Sequence, residues 1–213
     1  MRNNKKTKIG NIISLVEKLP YFNFDDLVGI EKDRTYLKII FSRYEKTGKL
    51  MRLKRGFYVT KEYIDDIQKK GAFSSYTEFL ANILYQPSYL SLDYILYQNN
   101  LLTEVPNNFT SVARNKTMSF SNNFGNFFYH KVKDKLFCGF EMVEENNYTV
   151  WRATKAKALF DYLYLRRNIL TNKKAVKELR LNSDNLTKSD IRELRKYLKI
   201  EGSKKMEEIF NSL

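Results

Sequence analysis

Four of the seven residues from Lys49 to Arg55 are cations, Lys49, Arg52, Lys54 and Arg55, and Gly56 follows them. Positive charge that dense beside a turn residue suits the phosphates of a polyanion, or a minor groove whose negative potential attracts arginine. It equally suits an edge strand kept from aggregation by charge. Just upstream, Thr35, Lys38, Ser42 and Lys46 recur three or four residues apart, with Ile39 and Arg43 beside them and Arg34 before them. On a helix that spacing gathers hydrogen-bonding side chains on one face, where they can reach base edges, and sets Arg34 at the start for a phosphate. A merely solvated face is the plainer use of the same pattern.

Other chemistry is thinly provided. The acidic pairs are Glu141 with Glu144 or Glu145, and Asp65 with Asp66. Glu141 with Lys131, Lys133 or Lys135 has the outline of a metal-dependent nuclease site, although one hairpin turn accounts for the spacing as well. His130 is the single histidine and Cys138, in the apolar run FCGF, the single cysteine. No disulfide framework or structural zinc site can be built from them within one chain. With no G-x-S-x-G, no GxGxxG and no GxxxxGK[ST], neither a nucleophile elbow nor a common phosphate loop is present. The expectation is a binding protein without catalytic residues, metal or cofactor.

The cations need elements to hold them. Ile9, Ile12, Ile13, Val16 and Leu19 recur at helical spacing up to Pro20 and predict a first amphipathic helix. Asn23 predicts the cap of a short second helix, with Asp25 and Asp26 in its first turn. Asp33 then caps a third through about Lys46, whose core stripe is Leu37, Ile40, Phe41 and Tyr44 and which ends at Gly48. In KLMRLKRGFYV, 49–59, apolar positions flank the Lys54-Arg55-Gly56 turn and predict a hairpin with basic side chains at its tip. Three helices followed by a hairpin is the order of a winged helix-turn-helix. A linker helix, with Tyr63, Ile64 and Ile67 as its contact face, closes at Gly71.

A second domain is expected over 71–213, after an N-terminal domain of 1–70. Ser75 and Glu78 fit the S-x-x-E box of a helix reaching about Tyr85, and Ser91 fits the cap of another through Asn99. Tyrosines 85, 89, 94 and 97 read as packing residues with anchored hydroxyls. The runs FTSVA, KTMSF, NFFYHKV, KLFCGFEMV and YTVWRAT, broken by Asn, Asp and Gly, predict a small, mostly antiparallel sheet. Thr154 caps an amphipathic helix, KAKALFDYLYLRR, expected to cover that sheet through Ala158, Leu159, Tyr162 and Leu165. Trp151, Arg152, Arg166 and Arg167 read as structural or as secondary DNA contacts. Two basic helices follow, near 187–199 and 203–212. The fold class is therefore α+β.

Composition agrees with a compact, charged protein. The 213 residues are 43% hydrophobic and carry a formal net charge of +14. Residues 1–70 hold 17 basic and 9 acidic groups (+8), 71–150 hold 5 and 7 (−2), and 151–213 hold 16 and 8 (+8). Two basic ends around a near-neutral middle point to a polyanionic partner. No run approaches 18 apolar residues and the start lacks a signal-peptide pattern, so a cytoplasmic protein without a membrane partner is expected.

The segments YFNFDDLVGI, RTYLKIIFSRYEKTGKLMRLKRGFYV, PSYLSLDYILYQNNLL, FTSVARNKTMSF and TKAKALFDYLYLRR, in this order, resemble the AbiEi family of abortive-infection antitoxins over nearly the whole chain. The resemblance implies an N-terminal winged helix that represses its own operon by binding operator DNA, and a C-terminal antitoxin domain. It also implies a nucleotidyltransferase-like toxin, counteracted without a stable complex in the type IV arrangement. Some relatives occur without a toxin, so a winged-helix regulator acting alone is the alternative, and a small metal-dependent nuclease the enzymatic one.

Overall fold

In the computed structural model, residues 8–213 are described; 1–7 of the expected first domain, and the Ile9 position of the first helical stripe, lie outside the described side chains. Two compact units are present. One runs through Thr77 and includes Asn122–Phe124; the other comprises Glu78–Ser121 and Gly125–Leu213. The division falls seven residues beyond the 70/71 boundary read from sequence, within a helix.

The first unit contains α1 (Lys8–Val16), β1 (Phe22–Asn23), α2 (Arg34–Lys46), β2 (Leu50–Lys54), β3 (Phe57–Thr60) and α3 (Lys61–Lys69). Its strands form one sheet in the order β1-β3-β2, with both pairings antiparallel. The expected second helix is reduced to a single 3-10 turn, Asp25–Leu27. Its N-cap position is Phe24, one residue past the expected Asn23, although the Asn23 side chain accepts from the amides of Asp25 (2.7 Å) and Asp26 (3.3 Å). The chain just before it is extended instead, because Phe22 is wholly buried against Phe41 and Tyr58 and its backbone pairs with β3. Ile12, Val16, Leu27, Leu37, Ile40 and Leu50 complete this core. Thr60 caps α3 by accepting from the amide of Tyr63, and Ile64 and Ile67 are buried as the helical stripe predicts.

In the second unit the sheet is mixed. Its strands are β4 (Ser88–Leu90), β5 (Asn108–Ala113), β6 (Met118–Asn122), β7 (Gly125–Lys131), β8 (Phe140–Glu145) and β9 (Tyr148–Ala153), in the order β6-β7-β5-β4-β9-β8. Pairs β4–β5 and β8–β9 are antiparallel, but β4–β9 and β5–β7 are parallel. The two parallel pairings are what a purely antiparallel reading would miss, and they have two sources. Three residues after Pro87, Ser-Tyr-Leu, left without an element between two expected helices, form a wholly buried strand at the sheet centre. The excursion through β6 also returns β7 beside β5 in the same direction.

The helices of this unit are α4 (Phe73–Leu84, shared with the first unit), α5 (Leu92–Gln98), α6 (Lys155–Arg166), α7 (Lys173–Lys177), α8 (Lys188–Glu201) and α9 (Lys204–Phe210). Because α4 already starts at Phe73, Ser75 and Glu78 lie inside it and are not a capping box. Both are buried; Glu78 accepts from the hydroxyl of Tyr94 and the side-chain amide of Gln98, each at 2.8 Å, and pairs with Arg152. Ser91 stands at the α5 N-cap, but its hydroxyl is used elsewhere. Thr154 caps α6, accepting from the amide of Lys157. That helix is not amphipathic in place: every residue from Ala156 to Tyr164 is buried, since α5, α8, α9 and β9 surround it. Two charged side chains are therefore enclosed, Lys157 and Asp161, both 0% exposed and paired with each other. No helix among the described residues is long and apolar enough to cross a membrane.

The start of α8 carries a capping box that allows a pH test. Thr187 and Asp190 exchange hydrogen bonds (Thr187 amide to Asp190 Oδ2, 2.8 Å; Asp190 amide to Thr187 Oγ1, 3.1 Å), and Lys155 Nζ lies 2.8 Å from the same carboxylate. Burial opposes ionisation of Asp190, but the bonds from Lys155 and Thr187 outweigh it and hold the carboxyl below the usual range. A depressed folded value means stability that is present above the unfolded value, about 3.9, and is lost as pH falls through the folded one. Asp190→Asn is expected to cost about 1 kcal/mol at pH 7. Urea unfolding should show the gap from the parent protein closing at pH 3; an unchanged gap would contradict this coupling.

Candidate nucleic-acid interface

The orientation of α2 is set at both ends and along one side. Asp33 caps it, accepting from the amides of Thr35 (2.9 Å) and Tyr36 (3.0 Å). Leu37, Ile40 and Phe41 are buried, and Phe41 packs on Phe24 and Tyr58 at ring separations of 5.2 and 5.0 Å. That contact leaves Thr35, Lys38, Ile39, Ser42, Arg43 and Lys46 exposed. Ile39, 49% exposed, is an apolar side chain on this polar face. At the other end Gly48 adopts a φ of 71°, the left-handed conformation that lets the amide of Lys49 reach the carbonyl of Tyr44 at 2.9 Å. The chain thereby turns from α2 straight into β2.

The hairpin carries a β-bulge. Arg52 pairs with Tyr58 and Lys54 with Phe57, so Leu53 is the extra residue. Leu50 and Leu53 are consequently both buried although three positions apart, where strict alternation would put one of them in water. Arg52 and Arg55 are exposed, and Gly56, with a φ of 82°, makes the tip. Lys49 is exposed too, its ammonium 5.4 Å from the Tyr44 ring. Lys54 is different: its ammonium sits 4.0 Å from the centre of the Phe57 ring, and burial pulls its pKa below the ordinary lysine value.

No family model matches the chain, and no curated protein matches it.

All ten residues singled out by sequence, Arg34 with Thr35, Lys38, Ser42, Arg43, Lys46, Lys49, Arg52, Lys54 and Arg55, lie on α2, on the hairpin or in the turn between them, within one unit. Arg34 opens α2 but is ion-paired with Asp25 of the 3-10 turn. A phosphate would have to displace that carboxylate. Sequence reading missed the pair because nine residues separate its members, a distance no helical or strand period connects. It also missed the bulge, which leaves no residue signature beyond two leucines at an unexpected spacing.

The competing catalytic groups are dispersed or engaged. Asp65 and Asp66 pair with Lys61 and Lys70 at 2.8 and 2.6 Å, and Glu145 with Arg152 at 2.8 Å. Among the described residues no three His, Cys, Asp or Glu side chains are placed to hold a metal ion. Burial lowers the pKa of His130, with Arg166 acting in the same sense, and burial raises that of the Cys138 thiol. Arg166 is held by Asp93 at 3.1 Å and Arg167 stacks on Tyr164 at 4.1 Å, so both have structural work.

Proposed function

We propose that this protein is a winged-helix repressor of its own operon and the antitoxin of a type IV abortive-infection pair, opposing a nucleotidyltransferase-like toxin without a stable complex. The observation that carries the DNA-binding half is the uncompensated polar face of α2 beside the basic hairpin. A helix with Lys38 and Ser42 at its centre presents donors and an acceptor to base edges, and exposed Ile39 is chemically suited to a thymine methyl. Arg52 and Arg55 supply sequence-independent phosphate contacts. The order α1, β1, 3-10 turn, α2, β2, β3 is compatible with a winged helix-turn-helix. The antitoxin half rests on the AbiEi resemblance, with neutralisation assigned to the residues from about 73 onward, which begin without a basic recognition element and carry an aromatic-rich, nearly neutral core and a basic helical tail.

One experiment with the full chain tests both halves. A reporter driven by the DNA upstream of the gene is read alongside growth rescue during expression of a neighbouring nucleotidyltransferase. Lys38→Ala and Ser42→Ala are expected to lose specific binding by roughly 1–3 kcal/mol, releasing the reporter while leaving rescue intact. Equal loss on specific and random DNA would show that α2 does not read bases. Rescue that disappears with repression, or a tight co-purifying complex with the toxin, would overturn the division of labour.

A further inference from the structure

The second unit holds a cavity of about 310 Å³ that DNA reading by α2 does not use. Its apolar lining is a run of touching rings. Phe137 meets Phe140 at 5.1 Å, and Phe140 meets Trp151 edge-on at 5.7 Å. Buried Tyr89 stacks on Phe140 at 4.5 Å and holds that ring in place. Trp151 is nevertheless 41% exposed, so a large aromatic surface at the cavity stays in water. Its backbone is fixed by buried Asn82, whose side-chain oxygen accepts from the Trp151 amide and whose NH2 group donates to the Trp151 carbonyl at 3.4 Å.

Two of the polar side chains among these rings are already engaged. Asn82 is committed to Trp151, and the Ser88 hydroxyl donates to the carbonyl of Tyr85 at 2.6 Å. The exposed side-chain amide of Gln86 remains, a donor and an acceptor together. No charged residue lines the cavity, yet cations gather beside it. All five basic residues of 71–150, Arg114, Lys116, Lys131, Lys133 and Lys135, lie in two short segments that border it. The first is tied to one rim: the amide of Arg114 donates to the carbonyl of Pro87 (3.3 Å), and the amide of Lys116 donates to the hydroxyl of Tyr85 (3.1 Å). The second leads through the 3-10 turn Asp134–Leu136 into Phe137, and it joins the first where the amide of Val132 donates to the carbonyl of Ala113 (3.3 Å). Arg114 is paired with Asp134 at 3.5 Å and Lys135 donates to the carbonyl of Ile200 at 2.6 Å, but Lys116, Lys131 and Lys133 are exposed.

We propose that this cavity receives one unpaired base of a single-stranded nucleic acid, with the phosphates of the strand on Lys116, Lys131 and Lys133. A base is planar, uncharged and edged with donors and acceptors, which matches stacking on Trp151 and a hydrogen bond with Gln86. An exposed aromatic ring beside a track of cations holds a strand without regard to its sequence. A duplex keeps its bases stacked on one another and has none to offer. A free phosphate finds no cation inside the cavity, and an uncharged peptide leaves the three lysines uncompensated. The proposal goes beyond the repressor and antitoxin reading and stands on other residues.

Trp151 is the single tryptophan of the chain, so its fluorescence reports this cavity whatever α2 binds. Oligothymidylate and oligouridylate of about ten nucleotides are titrated separately onto the full chain; quenching by either supports the proposal, and the tighter of the two names the sugar. Oligothymidylate annealed to its complement should quench at least about tenfold more weakly. Lys116→Ala with Lys133→Ala, both on the surface, should weaken the quenching strand about tenfold and flatten its salt slope by about 1.4, with an unchanged melting temperature. Gln86→Ala should weaken it about fivefold. No quenching by either strand at submillimolar concentration, equal quenching by the duplex, or full affinity in the double lysine variant would each overturn the proposal.

Discussion

Asp161→Ala is expected to destabilise the protein by roughly 3–5 kcal/mol, the cost of leaving a buried ammonium without its counter-charge. Lys157 and Asp161 stand one turn apart on α6, and neither has any exposed surface. Asp161 also accepts from the hydroxyls of Tyr89 (3.0 Å) and Ser91 (2.9 Å), so with Lys157 three of its roughly four lone-pair sites are used. The Lys157 ammonium is enclosed by the rings of Phe160, Tyr197 and Tyr89, at 4.9, 5.4 and 5.8 Å from their centres. Burial raises the Asp161 carboxyl pKa and the Lys157 charge opposes that rise. Removing Lys157 should therefore drive Asp161 to take up a proton, which softens Lys157→Met relative to Asp161→Ala. Replacing both, as Lys157→Met with Asp161→Leu, should come much nearer the parent than either single change, because two desolvated charges leave together. Melting temperature reads this directly: a loss of 3–5 kcal/mol corresponds to about 10 °C in a chain of this size. A cost below about 1 kcal/mol for Asp161→Ala, or additive single costs, would show that the pair is hydrated.

That pair also marks the limit of pattern reading. Periodicity located α6 and its Thr154 cap, since apolar spacing and a capping threonine are local facts. Its burial on all sides was hidden because Lys157 and Asp161 count as polar in any pattern; their i, i+4 spacing pairs their charges once α6 is a helix, but only the fold encloses the pair. The same blindness affected Glu78, read as half of a capping box when its carboxylate serves Tyr94, Gln98 and Arg152, the last of them 74 positions away in sequence. β4 went unseen because three residues after a proline carry too little period to register, and only its neighbours β5 and β9 make it a strand. In the first unit the legible part is larger. The burial of Leu37, Ile40 and Phe41 follows from helical spacing alone, and it fixes which residues α2 exposes. What could not be read there is long-range: the strand pairing of Phe22, the Arg34–Asp25 pair and the bulge at Leu53.

Those details decide how strongly the first unit should respond to salt. Lys38, Arg43, Lys46, Lys49, Arg52 and Arg55 are exposed and enter no ion pair among the described residues. Arg34 is committed to Asp25, and Lys54 to the face of Phe57. If the six free cations each neutralise a phosphate, the logarithm of the binding constant should fall with the logarithm of salt at a slope of about −5, a loss of roughly a thousandfold between 50 and 200 mM. Arg52→Ala with Arg55→Ala should flatten that slope by about 2 and weaken random and upstream DNA alike. Lys54→Ala should change it less than Arg55→Ala does, since its ammonium already rests on an aromatic ring. Asp25→Asn releases Arg34 and should steepen the slope by about 1, the opposite direction to every lysine or arginine removal. Fluorescence anisotropy across a salt series measures all of these on the full chain. A slope near zero, or one unmoved by the Arg52 and Arg55 pair, would detach the hairpin from DNA and return its charges to the plainer role of guarding an exposed strand.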